Sequence, residues 1–327
     1  MKPKFRELEV AWPSPITLVW DQEELVDVTT GQRANLDGSV SRRALNMTYR
    51  FDRAIGLRVA DVFWAIVYTN RGTKAVLMKN GVEHRELNRS YYCAEAYDYP
   101  ITICENQAGQ PVVIHCPHEF NALEVEDAES GENLYSLKSR QMEFHSRLAV
   151  SADRRFLLDA GWFWHPWCGA CVFDLSLSPD NPSEIGERVA FSTSNYEIDS
   201  AAFLGKSHLV VSSASEDTGE ELEGDALRPK QLGVWSLTKR RWESRVDLYE
   251  PTGAIMPWKH WVVSFYGHPK LIELGTGQIV HRWDQVYSGR QIGPINLGDP
   301  PPPPMAIDWH RGRFAIADST KITVVAL

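Results

Sequence analysis

The 327-residue chain lacks the compact signatures of catalysis: it has no Gly-rich phosphate loop, no Gly-x-Ser-x-Gly elbow and no His-Glu-x-x-His pair. Long hydrophobic runs are missing too. The longest, such as residues 62–68, fall far short of a bilayer span. The opening Met1-Lys2-Pro3-Lys4-Phe5-Arg6-Glu7-Leu8-Glu9 has no apolar stretch of the secretory kind. A soluble, cytoplasmic protein with no membrane contact is the expectation. Cysteine is sparse, at five residues without framework spacing, which fits reduced thiols rather than a disulfide scaffold. Basic residues are outnumbered, 34 Lys and Arg against 43 Asp and Glu, so a broad nucleic-acid surface is not expected. Amphipathic helices of convincing length are absent as well.

What is present is a composition of 43% apolar and 24% charged residues, enough to bury a sizeable core. Closed all-β architectures reach this length undivided, so residues 1–327 are read as one domain. A short acidic turn recurs as Asp27-Val28-Thr29-Thr30-Gly31, Asp127-Ala128-Glu129-Ser130-Gly131 and Glu273-Leu274-Gly275-Thr276-Gly277. Its last glycines lie 100 (131 − 31) and 146 (277 − 131) positions apart. These distances approach two and three copies of a unit of roughly 49 residues, the mark of a repeat architecture.

The second half carries the repeat most clearly. Apolar runs at 147–151, 155–160 and 169–175 are followed by 199–204, 208–213 and 231–237. The same order returns at 254–257, 261–266, 270–274 and 278–283, and again at 306–309, 313–317 and 321–327. The runs are rich in Val, Ile, Phe and Trp and are bounded by Gly, Asp, Asn and Ser, which reads as strands in hairpins. Earlier units at 16–36, 49–87 and 101–137 bring the total to seven. Four-stranded antiparallel sheets at this period pack radially, because each has two apolar faces to bury between neighbours. The fold class is all-β: a β-propeller of about seven four-stranded antiparallel blades. A β-sandwich would not need seven copies of one order.

Val172-Phe173-Asp174-Leu175 and Val234-Trp235-Ser236-Leu237 stand where WD40 repeats end their third strand, and residues 148–158 look like the first hairpin of such a repeat. The chain thus resembles a WD40-like β-propeller with degenerate repeats, with no Trp-Asp dipeptide at that third-strand position. Ring closure admits two arrangements. Residues 5–11 complete the last unit and leave the first one strand short, or residues 8–12 open the first unit and leave the last three-stranded.

Antiparallel order sends the one-to-two and three-to-four turns to one face of the disc, and the two-to-three loops and inter-unit links to the other. The acidic turn is assigned to the three-to-four position, on the plain face. The long loops all fall on the opposite face, where binding on a rigid scaffold concentrates. Residues 161–168 carry Trp162, Phe163, Trp164, His165 and Trp167, and residues 216–230 carry Glu220, Glu221 and Glu223. These eight are the candidate partner-binding residues, since rigid aromatics supply interface hot spots. Residues 284–304 form a long link ending in five prolines, read as a stiff spacer.

Trp167-Cys168-Gly169-Ala170-Cys171 looks like a thioredoxin redox motif, but Val172 onward continues as a strand where that chemistry needs a helix. Cys168, Cys171 and His165 with His115, Cys116 and His118 lack the paired spacing of a zinc site. The acidic stretch lacks EF-hand spacing. The leading reading is a non-catalytic platform for a protein partner, with no cofactor, no catalytic residues and no stated oligomeric order. The alternative is a metal-dependent propeller enzyme of the lactonase, lyase or glycosidase kind with an axial site, for which Asp199 and Asp308 are inner-strand candidates.

Overall fold

Unbroken apolar runs become central strands because they are covered on both sides. Phe63 to Val67 are all buried within Val62–Tyr68, whereas the outer strand Arg241–Asp247 alternates between exposed and covered positions. A computed structural model describes residues 4–42, 50–138, 143–163, 167–176, 188–189, 197–215, 226–295, 298 and 300–327. Among these it contains seven four-stranded antiparallel sheets and no helix.

The sheets follow one another along the chain as blades. Their innermost strands are Val19–Asp21, Arg53–Val59, Ile101–Glu105, Ala149–Val150, Ile198–Leu204, Ala254–Trp258 and Met305–Asp308. The core is divided into seven apolar clusters, each between two successive blades, with Val10, Trp12, Leu18, Leu25, Ala306, Ala315 and Val324 joining the last blade to the first. Each fully buried aliphatic side chain there is worth roughly 1.5–3 kcal/mol. The ring is a seven-bladed β-propeller.

Closure follows the first of the two arrangements. Arg6–Ala11 pairs antiparallel with Lys321–Ala326, from Arg6 opposite Ala326 to Ala11 opposite Lys321, and forms the outer strand of blade 7. The first blade is nevertheless complete, a correction to the sequence expectation, because Val40–Arg42 supplies its fourth strand beside Gln32–Asn35. That strand is only three residues long, too short to show alternation.

The first hairpin of every blade is tight, and each contains one residue of positive φ: Gln22, Ala60, Gly109, Arg154, Gly205, Lys259 or Gly312. Left-handed backbone at non-glycine positions costs of order 1 kcal/mol, which buried flanking strands readily offset.

The acidic turn needs a second correction. All three copies share a local geometry, with the glycine N–H donating to the carbonyl of the first residue at 2.8 to 2.9 Å and glycine φ of 71°, 75° and 72°. The turns at 127–131 and 273–277 join third to fourth strands as assigned. The turn at 27–31 instead joins the second strand, Glu24–Asp27, to the third, Gln32–Asn35, and lies on the opposite face. There the fully buried Asp27 carboxylate accepts the N–H groups of Ile16, Thr17 and Thr29 and the Thr17 hydroxyl, at 2.8 to 3.2 Å. It thereby fixes the segment that leads into the first strand.

The same device recurs. Asp159, ending the second strand of blade 4, accepts the Ser146 N–H at 2.9 Å, and Ser264 in blade 6 donates to the Thr252 carbonyl at 2.7 Å. A polar residue late in the second strand thus anchors the incoming link, whether it is Asp or Ser.

Candidate functional site

The face opposite the tight first hairpins is built from links and one projecting arm. In blade 4 the inner three strands break and continue as a small sheet in which Trp162–Phe163 lies between Glu143–Phe144 and Trp167–Cys168. The break falls at Gly161, where a Cβ would stand 2.5 Å from the Phe144 carbonyl oxygen. Only glycine allows that approach. The Trp162 ring stacks on fully buried Phe144 at 4.4 Å, and Phe144 also meets Tyr97, Phe120 and Tyr92. Trp162 therefore roots the arm by packing.

Phe163 and Trp167 pair with each other across the arm through their backbones. Trp164, His165, Glu220, Glu221 and Glu223 lie outside the described residues.

The 6-to-7 link runs across this face and touches most of the ring. The Gly293 N–H donates to the Asp199 carbonyl of blade 5 at 3.2 Å, and the Asp98 N–H donates to Pro294 at 3.0 Å. Ile295 bridges to Tyr97, and Gly289 to Gly267. Arg147, just ahead of blade 4, donates to the Gly293 carbonyl. A Cβ on Gly293 would lie 2.9 Å from Cys168 Sγ, and the residue's φ is 61°. The link acts as a strap stretched over the mouth of the axis.

Asp98 holds the strap. Its buried carboxylate receives Asn70 Nδ2 at 2.7 Å, Gln291 Nε2 at 2.9 Å, Arg147 Nε at 3.0 Å and Arg71 Nη2 at 3.2 Å. Blade 2, the strap and the entry to blade 4 thus converge on one side chain. Nearby, burial and the adjacent Glu197 carboxylate push Asp199 up to about 7, against the opposing pull of Arg147. The 5-to-6 link is pinned by Glu250, whose carboxyl is held at about 2, chiefly by its hydrogen bond from Arg282 and also by Lys270 at 2.8 Å.

Beneath the strap lies a cavity of about 220 Å³, lined by Arg53, Arg71 and Arg290, by Asp52 and Asn70, and by an apolar wall that includes Tyr266 and Ile295. Around it, the links expose aromatic rings. Tyr91 and Tyr92 between blades 2 and 3, Tyr249 between 5 and 6, and Tyr287 on the strap are 82%, 47%, 74% and 50% exposed. Among the described residues these are all of the exposed tyrosines, and the other exposed large apolar residues are aliphatic. Sequence reasoning overlooked Asp98 and these tyrosines. The adjacent pair Tyr91-Tyr92 in a polar link was the one visible signal.

The remaining motifs resolve structurally. Burial raises the Cys168 thiol to about 12, and Cys171 is a buried strand residue opposite Asp159, so neither offers a reactive thiolate. His115 is buried against Glu126 at 3.0 Å, and exposed His118 pairs with Glu124 at 2.9 Å. Asp308 is held by Arg313 and Arg311 on the plain face, far along its strand from the end that Asp199 occupies in blade 5. Among the described residues no three His, Cys, Asp or Glu side chains gather closely enough to hold a metal ion.

No protein-family model matches the chain, and no curated protein matches it. Solved structures do. A computationally designed protein, Ika8, superposes with a TM-score of 0.54 at 14% identity over 98% of both chains. The β-propeller domain of Cps50 (Swd1) from Myceliophteria thermophila superposes with a TM-score of 0.50 at 14% identity over 80% of both chains. At such identity the likeness is one of fold.

Proposed function

We propose that this WD40-like, seven-bladed propeller is a non-catalytic interaction platform of the cytoplasm that binds a partner protein through its loop-rich face. The observation that carries the reading is the placement of every described exposed tyrosine in the inter-blade links. Tyrosine brings large, rigid contact area with a polar tip and is enriched where proteins meet. Aliphatic exposure, by contrast, falls mainly on the outer strands, at Val40, Val82, Leu134 and Val280, with Ile16 in the link ahead of blade 1.

In this reading the blade 4 arm, with Trp162, Phe163, Trp164, His165 and Trp167, contributes an aromatic ridge. Glu220, Glu221 and Glu223 of blade 5 contribute an acidic flank beside it. The acidic flank favours a partner with basic residues at the contact, because complementary charge speeds and orients encounter.

Quantitative affinity capture from native lysate tests the proposal. Replacing Tyr91, Tyr92, Tyr249 and Tyr287 together by serine is expected to reduce the captured partner at least tenfold, given that hot-spot side chains contribute about 2 kcal/mol or more each. The melting temperature should fall only slightly, because these rings are largely solvent-exposed and only Tyr92, which packs on Phe120 and Phe144, belongs to a buried aromatic cluster. Alanine at Trp164 and Trp167 should weaken the same capture. Serine at Lys206 and Lys259, in the tight turns of the other face, should leave capture intact. If the four-tyrosine variant captures as well as the parent protein, the loop-rich face is not the contact surface.

A further inference from the structure

We propose that the cavity beneath the strap is a binding site for the phosphate group of a small molecule. Its polar side is arginine: Arg53 from the first strand of blade 2, Arg71 from the loop after the second, and Arg290 from the strap. Guanidinium forks match phosphate oxygens bidentately, which makes this residue type the usual reader of such groups.

Two of the three are uncommitted to any carboxylate. Arg53 donates to main-chain carbonyls, those of Asp52 at 2.8 Å and Pro302 at 3.3 Å. Arg290 is exposed and, among the described residues, makes no hydrogen bond or ion pair. Arg71 does face Asp98, but that carboxylate is already shared with Arg147, Asn70 and Gln291. The other acid, Asp52, accepts the Asn70 N–H at 2.8 Å.

Among the lining side chains Arg53, Arg71 and Arg290 stand against Asp52, an excess of two positive charges. This excess sits in a chain whose net charge is −9. A phosphate monoester carries about −1.5 to −2 at neutral pH and would balance it. Burial holds the Arg71 guanidinium below its ordinary value against the pull of Asp98, with smaller contributions from the neighbouring Arg147, Arg89 and Arg53.

Apart from Gln291, the rest of the lining is apolar, with Tyr266, Ile292, Ile295 and Pro301 among it. Such a lining suits an organic group attached to the phosphate, and the size of the cavity suits a small molecule. Arg290, being exposed, stands at the entrance. A bound anion would bridge the strap to blade 2.

Isothermal titration and ³¹P resonance shifts with inorganic phosphate and with phenyl phosphate, at constant ionic strength, test the site. Saturable binding is expected, weakened roughly tenfold or more by Arg290→Met and by Arg53→Met, in line with a lost charge-assisted hydrogen bond. Without ligand Arg290→Met should melt like the parent protein, and Arg53→Met slightly below it, having lost its hydrogen bonds to the Asp52 and Pro302 carbonyls. Tighter binding of phenyl phosphate supports an organic phosphate as the occupant, and equal binding supports the free ion. Either outcome upholds a phosphate site. Absence of saturable binding with both probes at millimolar concentration overturns it, as does unchanged affinity in both variants.

Discussion

Asp159→Ala lowers the unfolding free energy by about 3–5 kcal/mol, the usual cost of removing one member of a buried ion pair. Asp159 Oδ2 meets His145 Nδ1 at 2.6 Å, and Oδ1 accepts the Ser146 N–H at 2.9 Å. His145 is 0% exposed, so the alanine variant leaves an imidazole and a backbone N–H buried without their acceptor. Urea unfolding should show the loss as a lower midpoint with an unchanged slope.

The pair also makes a pH signature. Burial by itself depresses His145, but the charge and hydrogen bond of Asp159 outweigh it and hold the imidazole above its usual value. A raised folded-state value means the contribution is complete below the unfolded value of about 6.5 and is lost as pH rises through the folded one. Stability of the parent protein should therefore decline over that interval. Asp159→Asn, which keeps an acceptor for Ser146 but not the charge, should lose less than Asp159→Ala and flatten the decline. A parallel decline in the Asn variant would assign the pH dependence elsewhere.

Deleting residues 1–12 should prevent stable folding altogether. Six residues, Arg6 to Ala11, pair with Lys321–Ala326, and Val10 and Trp12 are 2% and 1% exposed in the seam between blades 7 and 1. At about 1 kcal/mol per ladder hydrogen bond and about 2–3 kcal/mol per large apolar side chain, the loss approaches the 5–15 kcal/mol that holds a domain folded. The strand Lys321–Ala326, buried along most of its length, would become an open edge and recruit other chains. Light scattering and soluble yield measure the result. A synthetic peptide of residues 4–13 should restore solubility in trans. A truncated protein that stays monomeric and melts normally would mean that the seam is dispensable.

Much of the fold was legible because the second strand of each blade is covered on both faces. Unbroken runs such as Val62–Tyr68 and Arg313–Ala317 announce themselves. Outer strands were harder. Val40–Arg42 is short, and its place in the first blade depends on pairing with Gln32–Asn35, which no local pattern specifies. The turn at Asp27 misled for a related reason. Asp, Thr and Gly dictate the same local geometry in either hairpin, and only the count of preceding strands decides which face receives it.

The site was less legible. Lengthy loops correctly pointed to one face, but the strap became visible only through contacts between residues remote in sequence, such as Gln291 with Asp98. Both residue types are common in solvated loops, and nothing near either one signals the other.

The seam between Arg6–Ala11 and Lys321–Ala326 also sets an order of events during synthesis. The outer strand of blade 7 leaves the ribosome before any other part of the ring, and its partner leaves after all the other blades. Throughout that interval the early strand has backbone donors and acceptors and no mate. Its sequence suits the wait: Arg6, Glu7 and Glu9 place a charge at nearly every other position, which discourages pairing with another nascent chain. Six blades can assemble by neighbour contacts as they emerge, but the circle latches only when the last segment arrives. Translation that stalls before residue 321 would leave a nearly complete propeller with both halves of its clasp unfilled.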